Sequence, residues 1–280
     1  PTRDNQVILG LGLATLMAPT DGNPCIYVPS GLNGVRVAGI MLGASKLTIQ
    51  ENQVTSMIEW GHEDDKFEGD PNNPSLMSDI FIRVGGASLD RTVSTDVMIR
   101  IHSGNVYADN LWLWRADHVA LDEANGEQPN FPPLDYHQVV EGEVPCKTGL
   151  EVTGNNVTIH GLAVEHTTQD QVVWKGEGGN VQFYQSELPY DVDPAFGEAG
   201  YVGYRVVDSV KTHTAGGLGV YSNFRDHSVP VATAIRHPEN EGILLRNKFT
   251  MYLNNHGIIQ SIVNGKGDPA EKENGPSQLP

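Results

Sequence analysis

The chain has 280 residues, with 35 acidic against 18 basic side chains and a formal charge of −17. That balance argues against nucleic-acid partners and anionic lipid surfaces, and favours a neutral polymer such as a glucan or a cationic partner. No run of about 18 apolar residues occurs, so membrane insertion is not expected, and the 31 Gly and 17 Pro argue against long helices.

In chain order, the opening "PTRDNQVILGLGL" lacks a basic segment followed by a cleavage site, and its start at Pro1 suits a mature, trimmed or excised product. "GLGLATL" from Gly10 has no GxGxxG leading into a helical pattern, so no dinucleotide cofactor is expected. "NGVRVAGIMLGAS" from Asn33 then sets a frame that returns in "GNVYADNLWLWRA" from Gly104 and "NNVTIHGLAVEHT" from Asn155. Each opens on Asn or Gly, alternates apolar with polar residues, turns a small or polar corner and continues as a second short strand. Val35, Val37, Ile40 and Leu42 thus match Val106, Ala108, Leu111 and Leu113, and again Val157, Ile159, Leu162 and Val164.

Weaker copies follow from Gly179, Asp208 and Glu241. Alternation of this kind predicts strands with one buried face, and the polar step in mid-run predicts a bend. Neighbouring copies lie roughly 20–30 residues apart, a solenoid period. The reading is an all-β fold, a right-handed parallel β-helix over residues 1–263. A β-sandwich is the alternative, disfavoured because few hairpin dipeptides join adjacent strands. Insertions from Gly61, Asp122 and Pro189 read as long loops, and 264–280 as a polar, frayed tail.

Two glutamates end two of these runs. Glu165 and Glu187 are 22 residues apart, close to one coil. If both runs share a sheet face, their carboxyls fall about 5–10 Å apart, a range that overlaps those of retaining and inverting glycosidases. Counted from strand starts at Val157 and Val181, however, they lie eight and six residues along, which places them at unequal coil positions. His166, Trp174, Phe183, Tyr184, Gln185 and Tyr190 gather around them in sequence. Aromatic faces stack on sugar rings, amides bond to hydroxyls, and a carboxyl among apolar rings gains proton affinity, as a general acid needs. The plainer account has Glu187 satisfying backbone groups where the strand leaves for Pro189.

The remaining constellations carry less. "GHEDD" and "PYDVD" are acidic but lack the spacing of a calcium loop, and the ten histidines show no zinc spacing, so no metal is expected. Cys25 and Cys146 neither demand nor exclude a disulfide. Asn156 in "NNVT" would be a glycosylation acceptor only along a eukaryotic secretory route. Trp112 and Trp114 share the outer side of a strand, where either the 122–148 loop or a sugar would cover them. Asn254 and Asn255 would suit a corner stack of asparagines. A lyase acting on acidic sugars is disfavoured, since its uronate would need cationic neighbours.

The stretch "GLEVTGNNVTIHGLAVEHTTQDQVVWKGEGGNVQFYQSELPYD" resembles the C-terminal β-helix region of glycoside hydrolase family 55-like proteins, the exo-β-1,3-glucanases. "NQVILGLGLATLMAPTDGNPCIYV" and "GVRVAGIML" are similar to that family's earlier coils, and "GLGVYSNFRD" and "NNHGIIQSIVNGKG" to its later ones. The resemblance implies a pectate-lyase-like right-handed β-helix and inverting hydrolysis of β-1,3-glucan from its non-reducing end. Glu187 in "SELPYD" would be the general acid and Glu165 in "VEH" the second acidic residue, positioning water or tuning its partner. It also implies a secreted or cell-surface protein that needs no cofactor. Catalytic members pair two β-helical domains, so the implied partner is a further N-terminal half. The alternative is a non-catalytic structural, adhesive or carbohydrate-binding module that assembles with other chains.

Overall fold

The computed structural model describes residues 1–48, 54–87, 89–129, 134–254 and 256–280; the expected contribution of Asn255 to an asparagine stack lies outside them. Among the described residues, seven long strands form the main wall: β1 (Arg36–Gly43), β2 (Ser75–Val84), β3 (Val106–Arg115), β4 (Thr158–Glu165), β5 (Gly179–Glu187), β6 (His213–Ser222) and β7 (Ile243–Tyr252). Each pairs in parallel with the next. A second parallel wall runs through Ile26–Val28, Ser56–Trp60, Thr95–Ile101, Cys146–Val152, Val172–Trp174, Tyr204–Val206 and Ile235–Arg236. The chain alternates between the walls, so each coil lays one strand on each, as in a parallel β-helix wound in the right-handed sense that parallel crossovers take.

The repeat frame holds in register. Val37, Met77, Ala108, Ile159, Val181 and Ala215 form one inward column, and Ile40, Ile80, Leu111, Leu162, Tyr184 and Leu218 another, all buried. β2 is a further copy of the frame that the sequence hides: Asn73 stands at the opening position, but Ser75 takes the place of the first apolar residue.

The expected mid-run bend is a column of left-handed residues: Gly39, Asp79, Asn110, Gly161, Phe183, Gly217 and Asn247, with φ between 52° and 69°. Gly, Asn and Asp take this conformation at little cost; a phenylalanine does not.

Beyond β7, the polar tail is bound rather than frayed. Ser277–Leu279 pairs antiparallel with β7, Ala270 bridges to Ile259, and the Lys248 ammonium donates to the Leu245 carbonyl at 2.7 Å and to Pro280. Cys25 and Cys146 are free thiols.

Phe183 tests the bend. Its side chain is 69% exposed, so little burial offsets its φ of 64°. Phe183→Asn should raise the unfolding free energy by about 1 kcal/mol in urea titration; a lower midpoint would mean that the ring stabilises the corner.

Candidate active site

β4 and β5 place Glu165 directly beside Glu187 in register, on strands about 4.8 Å apart. The unequal positions expected from strand starts came from the wrong reference pair. The ladder matches Ile159, not Val157, with Val181, and both glutamates follow six residues later. Across the outer face, Trp114, Glu165, Glu187 and Tyr221 form one row, and Phe81, Trp112, Ala163, Gln185, Gly219 and Phe249 run parallel to it.

Trp112 donates its indole N–H to Glu165 Oε2 at 3.0 Å and stacks on Phe81 with ring centroids 4.7 Å apart. It remains 46% exposed, whereas Trp114 meets His118, which in turn meets Tyr136 of the long loop. The loop expected to cover both tryptophans therefore reaches the flank of Trp114 and leaves Trp112 open. Gln185 donates to Glu187 Oε1 at 3.4 Å, and the Tyr190 hydroxyl donates to Glu187 Oε2.

Burial pushes the Glu165 carboxyl up to about 7; the Trp112 hydrogen bond opposes that shift and the neighbouring Glu187 charge adds to it. Tyr190 is also raised, by burial and by donating to Glu187, so its hydroxyl keeps its proton.

Tyr190 is held from behind. Buried Arg115 makes a bidentate pair with Asp191 at 2.8 and 2.7 Å. The same guanidinium donates to the carbonyls of Glu143, Val144 and His166. One side chain thus ties the β3 end to three other segments, including the loop that carries Tyr190.

Of the seven residues the sequence nominated, Glu165, Glu187, Gln185 and Tyr190 come together. The structure turns the other three away from the site. Tyr184 points inward, donates to the Gly203 carbonyl at 2.5 Å and packs on Tyr204. Trp174 is fully buried on the second wall, 4.8 Å from His213, whose imidazole burial lowers to about 3. His166 is buried behind Tyr190, with ring centroids 4.3 Å apart, so it supports the site without facing a ligand. Phe81, Arg115, Asp191 and Tyr221 were missed; extending the repeat frame across β2, β3 and β6 would have placed Phe81 and Tyr221.

Comparison with known proteins bears on the family and the fold. The family model described as the LAM55 pectate lyase-like domain matches residues 1–187. An exo-beta-1,3-glucanase of Streptomyces sp. (strain SirexAA-E / ActE) is 33% identical over 285 residues, covering 99% of this chain and 42% of that protein. The structure of sacteLam55A from Streptomyces sp. SirexAA-E superimposes with a TM-score of 0.83 at 30% identity, covering 99% of this chain and 47% of that one. A point variant of sacteLam55A in complex with glucose gives a TM-score of 0.84 at 29% identity, covering 99% and 46%. The chain spans less than half the length of these relatives. With two thirds of its residues inside the family model and its coils superimposing throughout, the chain belongs to the LAM55 pectate-lyase-like family of β-helices.

Proposed function

We propose that the chain carries the acid side of a glycoside hydrolase site for β-1,3-glucan, with Glu187 as general acid and Glu165 as its partner. The observation that carries this reading is the register that sets Glu165 beside Glu187. A carboxylate pair at this spacing, with one member's proton affinity raised to about 7, retains a proton near neutrality and can deliver it to a leaving oxygen. The carboxyl so raised is Glu165, which stands beside Glu187 in register and can pass its proton to it.

In this reading Glu187 protonates the glycosidic oxygen as its bond to the anomeric carbon breaks, and water adds from the opposite face. One proton of that water stays on the new anomeric hydroxyl; the other leaves on the water side and the pair is reprotonated from solvent, which closes the cycle. Tyr190 and Gln185 hold Glu187 in place, and Trp112 offers its exposed ring to the sugar. The streptomycete relative is named an exo-beta-1,3-glucanase and its fold-mate was solved with glucose, which supports the substrate class. Acting on a polymer suits a secreted or surface protein, and a further β-helical half is the partner we assign to the water side.

The direct test is reducing-sugar release from laminarin. Glu187→Gln should lower it by about 10²–10⁴-fold with folding intact; equal rates would remove Glu187 from the chemistry. Absence of release by the parent assayed together with the further β-helical half, with laminarin still bound, would favour a binding module. The pair also predicts a pH effect on stability. Between pH 4.5 and about 7 the folded chain holds a proton on Glu165 that the unfolded chain has released. This contribution is full below pH 4.5 and is lost as pH rises through about 7. Urea titrations should show that fall, and Glu165→Gln should flatten it; an unchanged slope would contradict the assignment.

A further inference from the structure

We propose that Phe249, laid over Gly219, is the platform for the sugar unit on the leaving-group side of the scissile bond; this rests on the glucan-hydrolase reading above. The row beneath the carboxylates runs Trp112, Ala163, Gln185, Gly219, Phe249 on five successive strands. Large aromatic groups stand at its two ends and small or flexible residues form the floor between them.

Gly219 is not a backbone requirement, because its φ lies outside the left-handed region. Space explains it. A Cβ there would fall 2.4, 2.8 and 3.0 Å from three carbons at the far end of the Phe249 ring. The ring therefore reaches one strand inward from its own backbone and roofs the glycine, bringing its tip next to the strand of Gln185 and Glu187. Tyr221 braces it edge-on, with centroids 5.6 Å apart and planes at 87°, and Tyr221 is itself the register neighbour of Glu187.

The two aromatic walls differ in which carboxylate they serve. Trp112 bonds to Glu165, while Tyr221 and Phe249 lie beyond Glu187. The acid protonates the oxygen that departs with the leaving sugar, so a ring on the far side of Glu187 meets that sugar. An aromatic face suits the C–H face of a neutral pyranose, and the Gln185 amide beside it suits hydroxyls. The ligand class is thus a β-linked glucose unit one position beyond the cleaved bond.

Calorimetry can separate the two sides of the site. Laminaritriose, titrated into a Glu187→Gln chain to stop turnover, spans the scissile position; 1-deoxynojirimycin, a cationic monosaccharide titrated into the parent chain, is drawn to the carboxylate pair alone. Phe249→Ala should weaken trisaccharide binding about tenfold, near 1.4 kcal/mol, and change iminosugar affinity less than about twofold. Gly219→Ala, whose methyl group displaces the ring, should give the same selective loss, and Phe249→Tyr should restore binding. Equal losses for both ligands, or none for either, would overturn the platform while leaving the role of Glu187 to its own assay. A parent chain that binds neither sugar would overturn both readings together.

Discussion

The parallel ladder between β4 and β5 is the constraint from which the site follows. Its hydrogen bonds fix two glutamates side by side at the spacing of adjacent strands. At about 5 Å and an effective dielectric of about 20, two ionised carboxylates would repel by roughly 3 kcal/mol. Burial of Glu165 acts in the same direction and is the larger cause of its raised proton affinity. A slip of one residue would turn Glu187 into the core and Ser186 outward, so the apolar columns that set the register also set the chemistry.

Register alone does not orient the carboxylates. Trp112 holds Glu165 from one neighbouring strand, while Tyr190 holds Glu187 from the segment that follows β5. That segment leaves the sheet and would be free to drift without the buried Arg115–Asp191 pair beneath it. An ion pair so deeply desolvated contributes little net stability against apolar packing, but removing one partner strands a buried charge. Its value here lies in geometry: the guanidinium fixes Tyr190 relative to the ends of β3 and β4.

The sequence disclosed the coil frame because burial on one face leaves a strict alternation, readable in Ile159, Leu162 and Val164 without any structure. It disclosed the glutamates because they recur after one coil. It did not disclose which nearby aromatics face the ligand, since closeness in sequence is not closeness on a face. Tyr184 is three residues from Glu187 and inside, whereas Trp112 is 53 residues from Glu165 and bonded to it. Parity counted from Glu187 would have sent Tyr184 inward; Trp174 belongs to the other wall, which no local pattern separates from the first. The tail misled for a different reason. Its composition is that of a free end, but two short pairings and the buried Lys248 hold it to the last coil.

Inverting displacement also bears on how much of a hydrolase this face can supply. Acid and water approach the sugar from opposite sides, yet Glu165, Glu187, Gln185, Trp112, Tyr221 and Phe249 all project from one outer face of one sheet. A single flat wall can protonate and stack but cannot flank a ring on both sides. On the proposed reading the water-side groups are therefore carried by a second wall set against this one. The aromatic row then has two tasks: it binds sugar, and it holds the chain against the carboxylates while the opposing wall positions the water.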